Sequence, residues 1–265
     1  MKKVLKIVLW SITVSVFIAA LVFARFYYNN KACDKLTINI DYDSQGAKSD
    51  VFLTYEDVRQ FISNQFDSIE GQPMSLINIE LLELKTKEIP YVLTADAYKS
   101  ISGEVVLNIK QRRAIILVID RSGFAYYIDE SGDIIPKRMG FPADVLVCNG
   151  RIPAFKFYGK NDNKTFKDSI MMNTILGDIY KVAKAIDADA FLKKEIAQLY
   201  VNRKSEFEMI PLVGRHRIVF GTAENISQKF DNLLLFYQKA KDYDAWGKYK
   251  TVNLKYKDQI VCTKK

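Results

Sequence analysis

Side chains that commonly do catalytic or metal chemistry are scarce in this 265-residue chain. The single histidine, His216, stands between Arg215 and Arg217, and two cationic neighbours make an imidazole a poor base or metal ligand. We therefore expect His216 on a surface strand or turn. The sequence contains no GxSxG, SxxK, HExxH or P-loop motif. A catalytic pair of carboxylates stays open, because 31 acidic residues offer many pairs.

Cysteine spacing and charge placement narrow the class further. Cys33, Cys148 and Cys262 are far apart and odd in number, which predicts neither a zinc site nor a disulfide framework. One pair could bridge in an oxidising compartment, and the spacing does not select which. The net charge of +8 is concentrated at the start, since residues 1–31 hold five basic and no acidic side chains. The remainder has 34 basic and 31 acidic residues, which is typical of a solvated mixed surface.

The longest apolar run predicts how the chain is anchored. No charge occurs from Ile7 to Ala24, and as a helix those 18 residues span roughly 27 Å, close to a bilayer core of about 30 Å. We predict a transmembrane helix over 7–26. Residues 1–6, which include three lysines, are expected in the cytoplasm and the rest of the chain outside. A cleaved signal peptide is the alternative, although this run exceeds the usual signal core of about 7–15 residues.

The residues after the apolar run predict a small β-α-α-β-β unit over 33–113. Lys35–Asp43 alternates apolar and polar residues and predicts a strand. Thr54 with Asp57 three residues later predicts a helix with a capping box, and a second helix is expected to start near Asn78 and to stop before Pro90. Ser102-Gly103 then joins two alternating strands as a hairpin. Three strands cannot enclose a core alone, so both helices are expected on one face.

From residue 114 onward, short strands separated by turns predict a mainly antiparallel domain over 114–265. Two helices are expected to flank it, one over 166–187 with Thr165 as its cap and one beginning at Asn225. Tyr249–Tyr256 is the last long strand. The predicted fold class is therefore α+β: an N-terminal transmembrane helix, the small unit, and a mainly antiparallel β domain with flanking helices.

Five stretches, whose order and spacing extend over most of the chain, match a known pattern: Ile101–Arg113, Tyr126–Pro136, Glu195–Leu199, Val219–Gly221 and Val252–Tyr256. Together with the order of the predicted parts, they make the chain resemble the bacterial FtsQ/DivIB cell-division family, in which a POTRA domain follows one membrane span and precedes a β domain. The resemblance implies that the 33–113 unit is POTRA-like. It also implies a protein that is not an enzyme and holds no cofactor.

The resemblance further implies a bitopic scaffold at the division septum, in the cytoplasmic membrane of the cell. Family members bind FtsB/FtsL-type coiled-coil proteins and other divisome membrane proteins, which links them to septal peptidoglycan synthesis. A partner segment is expected to add to a late edge strand by main-chain hydrogen bonding. The matching positions, which are expected to bind the partner, are Tyr249, Thr251, Asn253, Leu254, Lys255 and Tyr256.

The junction of the two domains and two alternative functions complete the expectations. Gln111, Arg112 and Arg113 end one strand and begin the next domain, so we expect exposed polar side chains at an interdomain corner. One alternative is a POTRA-bearing, membrane-anchored transport or assembly factor. The other is an anchored cell-envelope enzyme. Glu104, Asp129 and Glu195 are carboxylates within the family-like stretches, and their neighbours indicate turns and strand ends instead of a pocket.

Overall fold

A computed structural model describes residues 2–42, 51–138, 140, 143–154, 174–242, 247–257 and 259–265. Its first element is helix α1 (Lys2–Asn30). Within α1, the 19 residues Val8–Phe26 are long and apolar enough to cross a membrane, and none of them is buried in the protein. The hydroxyls of Ser11 and Thr13 donate to main-chain carbonyls three residues earlier. The polar atoms of these two side chains are therefore bonded inside the apolar segment.

The chain divides into two compact units, and the first holds α1, β1 and Leu53–Gln111. Its three-stranded sheet has the order β1-β3-β2, with β1 parallel and β2 antiparallel to β3. The β-α-α-β-β order predicted from the sequence is confirmed. The elements after α1 are β1 (Lys35–Asp41), α2 (Tyr55–Gln65), α3 (Ile79–Thr86), β2 (Val92–Lys99) and β3 (Glu104–Gln111).

The predicted capping box at Thr54 and the predicted start of a second helix near Asn78 are confirmed. Thr54 Oγ1 accepts a hydrogen bond from the Asp57 amide at 3.3 Å, and the Thr54 amide donates back to Asp57 Oδ2 at 2.8 Å. Asn78 Oδ1 accepts from the Leu81 amide at 3.0 Å. Each cap pairs main-chain N–H groups that a helix leaves without an internal partner, and so fixes where the helix begins. The buried apolar residues between helices and sheet include Leu53, Val58, Leu82, Val105 and Leu107.

The second unit holds Phe52 and Arg112–Lys265 and is built on one sheet of nine strands. The strand order is β12-β11-β10-β9-β8-β7-β4-β5-β6. Five neighbouring pairs are antiparallel and three are parallel, so the predicted mainly antiparallel sheet is confirmed. The strands are β4 (Ala114–Ile119), β5 (Ala125–Asp129), β6 (Ile134–Pro136), β7 (Leu146–Gly150), β8 (Ile196–Val201), β9 (Phe207–Pro211), β10 (Arg217–Gly221), β11 (Tyr249–Asn253) and β12 (Val261–Lys264).

Three helices are described in this unit: α4 (Ile175–Ala188), α5 (Ala190–Glu195) and α6 (Ile226–Asp242). The helix predicted over 166–187 begins instead at Ile175, because Thr174 is extended and its hydroxyl accepts from the Gly177 amide at 3.4 Å. Residues 155–173, which include the predicted cap Thr165, lie outside the described residues. Helix α5 was not predicted; Asp189 caps it by accepting from the Phe191 and Leu192 amides.

The polar residues expected at an exposed interdomain corner are partly or fully buried, so that expectation was wrong. Gln111 is 5% exposed, and its side-chain oxygen accepts from the Leu53 amide at 2.9 Å within the first unit. Within the second unit, Arg112 pairs with Asp129 at 2.7 Å and also with Asp133. Burial removes the water that would otherwise hydrogen-bond to the Gln111 amide, the Arg112 guanidinium and the two carboxylates. These contacts within each unit take the place of that water.

Arg113 links two elements of the second unit. Its guanidinium donates to Glu130 Oε2 at 2.9 and 3.0 Å and to the two Asp187 oxygens at 2.8 and 3.0 Å. Burial opposes ionisation of Asp187, but hydrogen bonds from Arg113 and Lys193 outweigh it and hold the pKa of that carboxyl below its usual range. The end of α4 is thereby fastened to the turn after β5.

We expect Arg113→Met to lower the free energy of unfolding by roughly 1–3 kcal/mol, between the values for exposed and buried ion pairs. The loss is measured by urea unfolding of the full chain in mild detergent. Because the native pKa of Asp187 is lowered, its stabilisation is complete above the unfolded value of about 4. It disappears as the pH falls through the lower native pKa. The variant and the wild type should therefore converge in acid.

Arg217→Met is the matched control for this substitution. Arg217 is 56% exposed in its side chain and lies 3.1 Å from Glu208, so its removal should cost under about 1 kcal/mol. An equal loss for the two variants, or a loss for Arg113→Met that does not shrink in acid, would contradict the structural role given to Arg113.

Candidate partner-binding surface

The last two strands lie at one edge of the nine-stranded sheet, and their order differs from the expectation. Strand β11 lies between β10 and β12, parallel to the first and antiparallel to the second. The expected edge strand over Tyr249–Tyr256 is therefore internal, and the edge belongs to β12. After β11 the chain turns back and forms β12, which pairs with β11 so that Val261 lies opposite Asn253 and Lys264 lies opposite Tyr249. Main-chain addition of a partner is thus excluded at β11, where both sides are already paired.

The residues matched to the family's partner site divide into three groups. Tyr249, Thr251 and Asn253 belong to β11 itself. Leu254 is 1% exposed, and its amide donates to the Val219 carbonyl at 2.9 Å, which makes it a core residue. Lys255 and Tyr256 follow the strand and are exposed, Tyr256 at 50%.

The strand ends earlier than predicted because of a local side-chain hydrogen bond. Asn253 Oδ1 accepts from the Lys255 amide at 3.0 Å, an arrangement that turns the chain out of the extended conformation. Tyr256 is thereby placed in the connection between β11 and β12 and not within the ladder. Tyr256 and Val261, which is 43% exposed on β12, are the large exposed apolar side chains of this hairpin.

Lys255 contacts Glu206, which directly precedes β9, and Gly221, which ends β10. Its Nζ lies 2.6 Å from Glu206 Oε1, and this bond keeps the pKa of Glu206 below its usual range. Its aliphatic stem crosses Gly221, where an added Cβ would come within 2.8 Å of Lys255 Cγ. Gly221 also has φ +81°, so glycine suits both the backbone and the close approach.

Positive charge accumulates on this hairpin. From residue 247 to 265 the sequence has six lysines and one acidic residue, Asp258, which lies outside the described residues. Such a surface attracts negatively charged segments over about a Debye length, roughly 8 Å at physiological salt. The lysines are Lys248, Lys250, Lys255, Lys257, Lys264 and Lys265.

The opposite face of the hairpin is bound into the core. Val252 is fully buried, and Cys262 packs against the same apolar cluster. Tyr249 contacts the ring of Phe236 on α6, with 5.9 Å between ring centroids. The ring of Phe236 in turn lies 6.0 Å from that of His216. One face of the hairpin therefore packs on the core, while its lysine side chains are exposed to solvent.

A buried polar cluster beneath the hairpin was missed by the sequence analysis. His216 is 3% exposed, so its predicted surface position was wrong. Its Nε2 lies 3.0 Å from the Tyr237 hydroxyl, which donates to Glu195. Burial raises the pKa of Glu195, against the effect of that hydrogen bond, and burial also raises the pKa of Tyr237. The signal available was the alternation of His216 with Ile218 and Phe220, both fully buried.

Two of the three carboxylates considered for an enzyme site, Asp129 and Glu195, make contacts with a structural role. Asp129 is 1% exposed; its Oδ1 accepts from the Ser131 and Asp133 amides, and its Oδ2 binds Arg112. Glu195 belongs to the cluster beneath the hairpin, whereas Glu104 begins β3 of the other unit. The described residues contain no group of three or more histidine, cysteine, aspartate or glutamate side chains placed to hold a metal.

Comparison with known proteins agrees with this architecture. Residues 31–110 match the family model of the POTRA-like domain, and residues 113–263 match the model described as FtsQ/DivIB, C-terminal related. No curated protein matches the chain. The second model covers more than half of the 265 residues. With the POTRA-like match before it and the apolar helix at the start, it shows that the chain belongs to the FtsQ/DivIB family of cell-division proteins.

Proposed function

We propose that this chain is a non-catalytic scaffold of the bacterial division machinery, at the septum, that binds FtsB/FtsL-type coiled-coil proteins outside the cytoplasmic membrane. The family match supports a division scaffold and favours it over a transport factor. The observation that carries the partner site is the position of β12, with no strand on its outer side among the described residues. The POTRA-like unit and the second unit would together link these partners to septal peptidoglycan synthesis.

A partner strand would add to β12 through main-chain hydrogen bonds. Four residues offer a short edge, so the ladder alone supplies limited affinity. Exposed side chains beside the edge must supply the rest, and Tyr256 and Val261 are the apolar ones. The surrounding lysines favour a partner segment that carries acidic side chains.

The charge at the start of the chain supports the orientation of this proposal. Lys2, Lys3 and Lys6 precede the apolar segment of α1, and basic residues beside a first span are retained in the cytoplasm. Both folded units then lie outside, on the side where coiled-coil ectodomains are available. The structural roles of Asp129 and Glu195 agree with a scaffold.

Tyr256→Ala should weaken binding of the host's FtsB–FtsL ectodomain pair by about 5- to 30-fold, the range for an exposed aromatic that becomes buried in an interface. The titration uses the full chain in nanodiscs and labelled ectodomains. Tyr200→Ala is the matched control, since Tyr200 is a 38% exposed tyrosine of the same unit on β8. Loss of affinity in both variants, or in neither, would argue against a site at the β11–β12 connection.

Reversing two lysine charges tests the acidic character of the partner. Lys257→Glu combined with Lys264→Glu should weaken the same binding about tenfold at low salt, mainly through slower association. The difference should nearly vanish in 1 M salt, where the Debye length is about 3 Å. Lys239→Glu, an exposed lysine on α6, should change little. Unchanged or tighter binding by the double variant would exclude an acidic partner segment at this edge.

A further inference from the structure

Two apolar side chains of the first unit are unusually exposed. Ile101 is 91% and Leu76 is 72% exposed, the two highest values for large apolar side chains among the described residues outside α1. Each lies in a turn, Leu76 where its amide donates to the Pro73 carbonyl at 2.9 Å, and Ile101 between Ser100 and Gly103. Single exposed apolar side chains are common on protein surfaces, and these two gain significance from their position beside the end of the apolar helix α1.

Both turns are bonded to the chain segment that directly follows α1. The Met74 amide donates to the Lys31 carbonyl at 2.9 Å, and the Asp34 amide donates to the Gly103 carbonyl at 2.9 Å. Lys31 Nζ also donates to the Ser102 carbonyl. Since α1 ends at Asn30, the exit of the helix is attached to the two turns without a flexible linker.

The second turn contains a glycine, Gly103, next to the ends of the Lys31 and Asp34 side chains. A Cβ added at Gly103 would lie 2.5 Å from Lys31 Nζ and 2.8 Å from Asp34 Oδ2. The residue also has φ +101°, which other residues rarely adopt. Local sequence thus permits a tight joint between the end of the helix and the turn that carries Ile101.

Strand direction places the Ile101 turn at the membrane end of the sheet. Strand β1 begins at Lys35, five residues after α1, and runs beside parallel β3 with Lys35 opposite Glu104. The β2–β3 turn therefore lies at the end of the sheet where β1 starts. The other end of β1, near Asp41, is about 20 Å away at about 3.3 Å per residue.

The height of the two turns above the bilayer core follows from helix geometry. The candidate span ends at Phe26, and five further residues to Lys31 add about 7 Å. The polar headgroup layer extends roughly 5–7 Å beyond the hydrocarbon core on each side. Lys31 therefore lies at the outer boundary of the headgroup layer, and the turns bonded to Lys31 and its neighbours lie close to that boundary.

We propose that the turns carrying Leu76 and Ile101 form a lipid-contact surface, in which both side chains enter the headgroup layer of the bilayer that α1 crosses. The lysines beside them suit this layer, since Lys31 and Lys99 place charged ends near the turns, where Lys99 Nζ donates to the Met74 carbonyl. The contact fixes the orientation of the first unit against the membrane. It rests on the membrane span and does not depend on the division partners.

Depth measurements on the full chain in vesicles test the proposal. The vesicles contain one part anionic to three parts neutral phospholipid, at a low protein-to-lipid ratio. Cys262→Ala removes the partly buried cysteine, and Cys33 and Cys148 are 2% and 0% exposed, so one new cysteine takes an environment-sensitive fluorophore. The labelled variants are Leu76→Cys, Ile101→Cys and, as the far-end control, Tyr42→Cys, whose residue is 40% exposed just after β1.

We expect lipids with a nitroxide near the headgroup to quench the labels at 76 and 101 at least threefold more than the label at 42. Emission at 76 and 101 should also shift to shorter wavelength. Equal quenching at all three positions, with full access to aqueous iodide, would overturn the proposal. So would labels at 76 and 101 that are shielded from iodide but not quenched by the lipid, because protein would then cover the surface.

Discussion

Main-chain hydrogen bonding in the nine-stranded sheet is the constraint on which the partner surface depends. Every internal strand has both sides paired, and an open sheet must leave two edges. One edge is β6, with only three residues, and the other is β12. The register that pairs β12 with β11 decides which main-chain groups the proposed partner strand could reach, and under that proposal the family-matched residues contribute only through their side chains.

The sequence predicted those elements whose causes are local. Thr54 with Asp57 and Asn78 mark helix starts through contacts three residues apart, and the Ser102-Gly103 turn fixes one hairpin. What failed depends on distant partners. The exposed corner at Arg112 and Arg113 was wrong because their carboxylates lie 17 to 74 residues away. Edge status of β11 was wrong for a different reason, since β12 directly follows it in the chain and pairs on its outer side.

The buried His216 illustrates the same limit within the candidate site. Its flanking arginines suggested a surface position, and the side-chain alternation with Ile218 and Phe220 was the better guide. The Tyr237 hydroxyl that makes its burial tolerable is 21 residues further along the chain. Lysine enrichment near the end of the chain was visible in the sequence, whereas its location on an edge hairpin required the topology.

Packing of the hairpin on the core suits the proposed docking of a partner strand on so short an edge. Val252, Leu254 and Cys262 pack into the core, and Phe236 joins Tyr249 to the cluster around His216. A strand held in this way loses little conformational entropy on binding, so fewer contacts suffice for a given affinity. Charge repulsion among the lysines opposes close approach of a second basic edge, which disfavours pairing between copies of this chain and is compatible with the proposed acidic partner strand.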